Sequence, residues 1–401
     1  MGYLEEYNLL KKIYNETDEL IPIPDSDIII RNYEFDSAGH DFYPGNDYIQ
    51  QLFKRHYEGL RSDAIKEFSE QQVYGFECNT KFVYPVYHDS AKGKSDKVII
   101  MLHGLNESNW DKYHIWAKSL VEKTGSPVIM FPISFHINRR PSLWTQSRPM
   151  NALSKGRRTY YNELTESSFV NAALSTRLQF ASELFFWSGL RTFNDIIRLT
   201  NSLKKGEFEF ANAGAKIDFF GYSIGAFLVE VLMMSRPELY SDAKAVLFCG
   251  GPTMDLMYPA SKYIYDTETE KTMHRFYIDD FEEVVGKDEC MSSFFDSGAR
   301  EALAFRAMLN TGRFREERTA MLSSVRENIH AICLSKDFVM PPDSVKSSLE
   351  GTGSVPGIKV TELDFPFEYD HVSPFPLGEH IKDETGDAFN RFAEMSAGWL
   401  K

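Results

Sequence analysis

From residue 82 onward the chain alternates short β-rich runs with longer stretches of helical spacing. FVYPVYH (82–88) and KVIIMLHG (97–104) predict strands separated by the turn AKGKSD. Trp110, Ile115, Trp116, Leu120 and Val121 predict a helix over 108–124, stopped by Gly125. PVIMFPI (127–133), KIDFFG (216–221), KAVLFCGG (244–251), NIHAICLS (328–335) and GIKVTELDF (357–365) continue the strand series. Helices are predicted over roughly 178–205, 223–235 and 383–400. Continuous apolar runs such as VIIML and AVLFC mark strands covered on both faces. The expected fold class is therefore α/β, a mostly parallel central sheet flanked by helices.

Two stretches interrupt the alternation. Residues 134–177 form a long insertion, and residues 252–327, with the helical runs EALAFRAMLN and REERTAMLSSVREN, form a second. Excursions of this length are usually functional, so 252–327 is expected to be a lid or cap. Residues 1–80 are mixed and acidic and are expected to pack on the core as an N-terminal extension. The core itself is then 81–251 together with 328–401.

The 44 Lys+Arg and 58 Asp+Glu residues give a formal net charge of −14, which argues against a nucleic-acid partner coating the surface. No run of about 18 uncharged apolar residues is present, and MGYLEEYNLLKK lacks the pattern of a signal peptide. The chain therefore reads as soluble and cytoplasmic, with no membrane span; its oligomeric state is left open. Cys78, Cys249, Cys290 and Cys333 are far apart, without CxxC or zinc-type spacing, and Cys249 and Cys333 sit in apolar runs that suggest buried thiols. Asp36, His40, Asp41 and Asp47 fit no ligand pattern and read as a surface loop, so no metal or cofactor is expected.

The chemical signal is Gly221-Tyr222-Ser223-Ile224-Gly225, lying directly after the apolar run KIDFF and directly before AFLVEVLMM. A serine on such a strand-to-helix turn projects its hydroxyl beyond the sheet, and the flanking glycines avoid collision with the adjoining strand and helix. The helix N-terminus beneath it offers free N–H groups and positive dipole to an oxyanion.

With this motif the chain resembles the α/β-hydrolase superfamily of serine esterases, lipases and peptidases, over roughly residues 82–401. The resemblance implies the chain order nucleophile, acid, histidine. It makes Ser223 the nucleophile, and Asp337 in ICLSKDFVMPP the acid, with Asp255 in CGGPTMD as the alternative. It makes His371 in EYDHVSPF the base in preference to His380. The family's HGx loop matches His103-Gly104-Leu105, which implies oxyanion donors at the backbone N–H groups of Leu105 and Ile224, with His103 supporting the pocket from below. The expected function is hydrolysis of a carboxylic ester or thioester of a small to medium acyl substrate through an acyl-enzyme. An acyltransferase on the same triad and an inactive ligand-binding protein of this fold are the alternatives.

Between Lys123 and Asn162 no acidic residue occurs, whereas Arg139, Arg140, Arg148, Lys155, Arg157 and Arg158 are basic. The preferred reading of this reversal of sign is a solvated basic loop paired with the acidic N-terminal region; the second is that Arg139 and Arg140 steer an anionic substrate. Met254, at the start of the second insertion, is a candidate for the acyl-binding surface.

Overall fold

A computed structural model describes residues 2–37, 47–48, 51–52, 67–68, 77–162, 164–350 and 357–401. The strands are β1 (Leu20–Pro22), β2 (Ile28–Asp36), β3 (Lys81–Asp89), β4 (Ser95–Leu102) and β5 (Val128–Met130), followed by β6 (Ala211–Tyr222), β7 (Ala245–Phe248), β8 (Ile329–Leu334) and β9 (Lys359–Leu363). They form one nine-stranded sheet in the order β1-β2-β3-β5-β4-β6-β7-β8-β9. From β5 to β9 the neighbours run parallel, whereas β1, β2 and β3 are joined antiparallel at one edge.

Period-2 alternation divides the core into two layers. In β4, Val98, Ile100 and Leu102 face one layer, while Ile99 and Met101 face the other, all five fully buried. The first layer packs on helices Glu183–Lys204 and Ile224–Ser235. The second packs on helices Tyr3–Ile13, Asp111–Thr124 and Lys382–Leu400. Truncating any of these β4 side chains to alanine is expected to cost about 2–5 kcal/mol. No helix among the described residues is long and apolar enough to cross a membrane.

The N-terminal region is more than a covering. IIIRNYEFD forms β2, whose nine residues pair with all of β3 from Ile28↔Asp89 to Asp36↔Lys81, so residues 20–36 extend the sheet itself. The first insertion is likewise ordered: Ser147–Tyr160 and Ala172–Phe180 are helices, and Phe135, Trp144, Met150 and Leu153 form a small core beside them. Residues 252–327 contribute short helices, including a π-turn at Arg275–Asp279. The two insertions are joined by a buried ion pair. Arg157 Nε and Nη2 each lie 2.7 Å from an oxygen of Asp266, and both residues are fully buried.

Burial also fixes protonation. His114 lies wholly inside the second layer with Nδ1 2.7 Å from the Tyr87 hydroxyl, and desolvation pushes its pKa down to about 3. Unfolded, the same imidazole titrates near 6.5. Below pH 6.5 the unfolded chain thus binds a proton that the folded chain excludes, and stability is lost as pH falls. Relative to His114→Gln, the wild type is expected to lose on the order of 1–2 kcal/mol between pH 7.5 and pH 5, read by urea unfolding. A difference between the two proteins that does not change with pH contradicts a neutral buried imidazole.

Candidate active site

The elbow forms where β6 ends and helix Ile224–Ser235 begins. Ser223 has φ 57° and ψ −121°, a backbone conformation that a side chain rarely adopts and that costs roughly 1–3 kcal/mol. Neighbouring structure holds it there: Ser223 N–H donates to Phe248 O at 3.0 Å. The flanking glycines are sterically required. A Cβ on Gly221 would lie 2.6 Å from Ala226 Cα, and one on Gly225 would lie 2.6 Å from the Leu102 carbonyl oxygen.

Ser223, Asp337 and His371 are far apart in sequence and come together at the carboxyl end of the sheet. Ser223 Oγ lies 2.7 Å from His371 Nε2, and His371 Nδ1 lies 2.7 Å from Asp337 Oδ2. A carboxylate facing Nδ1 places the proton on that nitrogen, leaving Nε2 to accept from the serine. The other oxygen of Asp337 accepts the N–H groups of Val339 and Met340, each at 2.9 Å, so the carboxylate is fixed from both sides. All three residues are buried.

Asp255 is held elsewhere. Its carboxylate accepts from Thr253 Oγ1 at 2.6 Å and from the N–H and hydroxyl of Thr311 at 3.0 Å, tying the start of the second insertion to residue 311. The neighbour Asp370 accepts the N–H of Ser373 at an exposed turn. His380 stands in a short turn before the last helix.

Leu105 and Ile224 flank the serine, and among the described residues neither backbone N–H donates to a protein acceptor. Ile224 is the first residue of its helix, where N–H groups lack intrahelical partners. The Gly104 N–H, by contrast, donates to the Tyr113 hydroxyl at 3.0 Å. His103 pins the loop: its Nε2 accepts the Ile133 N–H at 2.9 Å, and its Nδ1–H donates to Gly104 O at 2.8 Å. Burial holds its pKa well below the ordinary value, with His136 a further cause, so the ring stays neutral and this pattern is kept.

Two other side chains join the site, Tyr222, a supporting residue expected from the serine motif, and Cys249, which no motif announces. Tyr222, which precedes the serine, donates its hydroxyl to His371 O and stacks on the His371 ring at 5.6 Å and 19°. Cys249, the residue after β7, has φ 47°, and its Sγ lies within 4.8 Å of a ligand-type atom of both Asp337 and His371. Burial and the neighbouring Asp337 push its thiol pKa well up, so it remains S–H and faces the carboxylate as a donor. Among the described residues this is the one grouping with metal-ligand chemistry, and its atoms already serve the hydrogen-bonded chain. Asp36 and Asp47 form no such grouping, and His40 and Asp41 lie outside the described residues.

The basic insertion requires a correction. Arg139 is fully buried, pairs with Asp195 Oδ2 at 2.9 Å, donates to Pro132 O and Asn79 O, and lies 4.0 Å from the Phe82 ring centre. Paired with Asp195 inside the fold, Arg139 adds little net charge to the surface field and is out of reach of a substrate. Arg140 is also buried, and desolvation pulls its pKa down to about 10. Arg157, on Asp266, likewise serves an internal ion pair. Met254 does face the site, in the wall of a cavity that also contains Ser223.

A mostly parallel sheet with this strand order, carrying a strained serine between β6 and the next helix, is an α/β-hydrolase fold. The chain belongs to the family described as "Family of unknown function (DUF6051)", whose model matches residues 1–401. None of the curated proteins matches it. Similar solved structures include the PEG-bound complex of a cold-adapted esterase from an Arctic intertidal metagenomic library, at 10% identity and TM-score 0.41, covering 97% of this chain and 99% of that one. They also include a thermostable esterase from Pseudomonas putida ECU1011, at 11% identity and TM-score 0.44, covering 91% and 99%. A third is carboxyl esterase 2 from the mycorrhizal fungus Tuber melanosporum, at 9% identity and TM-score 0.44, covering 80% and 81%.

Proposed function

We propose that the protein is a serine hydrolase that cleaves a carboxylic ester or thioester through an acyl-enzyme on Ser223. The carrying observation is the unbroken chain Ser223 Oγ, His371, Asp337, with both links at 2.7 Å, beside two N–H groups with no protein acceptor. His371 Nε2 takes the serine proton as Oγ attacks the acyl carbon, and the N–H groups of Leu105 and Ile224 receive the developing oxyanion. Collapse breaks the bond to the leaving oxygen of an ester or sulfur of a thioester, which takes the proton from His371. Water then attacks the acyl-enzyme with His371 again as base, releasing acid and free serine. Asp337 holds the imidazole in the required tautomer and stabilises its charged form.

In this reading residues 252–327 act as the cap over the site. Their contribution to the cavity around Ser223 (Met254, Tyr258, Ile278) supports it, as does their attachment to the first insertion through Arg157 and Asp266. The test is rapid mixing with p-nitrophenyl butyrate. A burst of p-nitrophenolate stoichiometric with protein, followed by slower turnover, is the expected result. Neither burst nor turnover from the folded protein contradicts the proposal.

A further inference from the structure

Two cavities meet at the oxyanion donors, and both include Leu105, Ile224, Phe185 and Phe227 in their walls. The first is narrow, about 80 Å³, and the second about 480 Å³. Their linings differ in chemistry. The narrow cavity follows one face of the helix that begins beside Ser223: Ile224, Phe227, Leu228 and Val231 stand at i, i+3, i+4 and i+7 and line it together. At 1.5 Å rise per residue, that stripe runs about 10 Å inward from the oxyanion donors. Phe186 and Phe305 also line this cavity. Of its charged members, Glu301 pairs with Arg236 at 3.0 Å, and the Arg177 guanidinium lies against the ring of Phe135, itself part of the wall, at 3.7 Å. The wide cavity is bordered by Glu270, Lys271, His274, Arg275 and Asp279 from the helix and π-turn at 267–279.

The direction in which an ester lies follows from the proton transfer. The leaving oxygen must receive its proton from His371 Nε2, so the leaving group occupies the side next to the His371–Asp337 pair. The wide cavity adjoins that side through Val339 and Met340, the residues whose N–H groups hold Asp337. Neither cavity's wall includes Asp337 or His371, but Ser223, Val339 and Met340 line the wide one and none of them lines the narrow one.

We infer that the substrate is an ester of a medium-length, unbranched aliphatic acid with a bulky polar alcohol, the acyl chain lying along Ile224, Phe227, Leu228 and Val231. This rests on the serine hydrolase reading and adds to it the class and orientation of substrate. A long chain outruns the channel, a short one leaves its apolar wall unfilled, and the alcohol side tolerates size and charge.

The experiment compares kcat/KM for p-nitrophenyl acetate, hexanoate, octanoate and palmitate, and for the glucose and hexyl esters of hexanoic acid. Hexanoate or octanoate is expected to exceed both acetate and palmitate at least tenfold, and the glucose ester to exceed the hexyl ester. Val231→Phe, which fills the channel, is expected to lower the octanoate-to-acetate ratio about tenfold. Leu228→Ala, which widens it, is expected to move the optimum to longer chains. A flat or steadily rising acyl profile in the wild type, a preference for the hexyl ester, or an unchanged profile in both folded variants overturns the inference. Labelling of Ser223 by a small fluorophosphonate separates the two levels. A labelled protein with the wrong profile refutes only the substrate assignment, and an unlabelled one refutes the hydrolase reading beneath it.

Discussion

Replacing Ser223 by alanine is expected to lower kcat for a p-nitrophenyl ester by on the order of 10⁴- to 10⁶-fold with little change in KM. The size follows from what the hydroxyl does. It forms the covalent bond, so its removal eliminates the acyl-enzyme route and leaves only what the oxyanion donors and the cavity give to direct attack by water. Ground-state binding is contributed by apolar walls that the substitution does not touch, which is why KM should hold. The folded state should survive the change, since alanine keeps the same Cβ and backbone. Ser223 sits at φ 57°, and its side chain contributes one hydrogen bond, to His371. A Ser223→Ala protein retaining more than about one hundredth of the wild-type kcat places the nucleophile elsewhere.

Asp337→Asn is expected to lower kcat by about 10⁴-fold while keeping the fold. Asparagine preserves the shape, and its amide oxygen can still accept the N–H groups of Val339 and Met340. It then turns its NH₂ toward His371 Nδ1. That nitrogen becomes the acceptor, the proton moves to Nε2, and Nε2 can no longer take a proton from Ser223. Asp255→Asn is the informative comparison. It loosens the link to Thr253 and Thr311 without meeting the histidine, and should reduce kcat less than tenfold. Equal losses in the two variants, measured at saturating substrate, contradict the assignment of distinct roles.

Much of the architecture is legible in the chain because the physics that sets it is local. VIIML and AVLFC are apolar without a break, and a strand buried on both faces requires that. The elbow is legible in part for the same reason: the glycine at 221 answers a contact with Ala226 in the next helix, whereas the one at 225 answers the Leu102 carbonyl of the neighbouring strand β4. What the pattern concealed depended on distant partners. IIIRNYEFD reads as mixed and acidic, yet as an outer strand bonded along its whole length to β3 it can expose Arg31, Tyr33 and Glu34 in part and bury Ile28 and Ile30. Arg139 and Arg157 look like surface charge because Asp195 and Asp266, which neutralise them, stand 56 and 109 residues away. Cys249 reads as a buried thiol and is one. Its place beside Asp337 arises only when the ends of β7 and β8 become neighbours in the sheet.

The most direct test of an activated serine is intact-mass analysis after exposure to a fluorophosphonate, applied to the wild type, Ser223→Ala and His371→Ala. The predicted result is one adduct on the wild type, mapped to Ser223, and none on either variant under the same conditions. A wild type that is folded yet unlabelled, or a Ser223→Ala protein that still takes up one equivalent, would contradict the account.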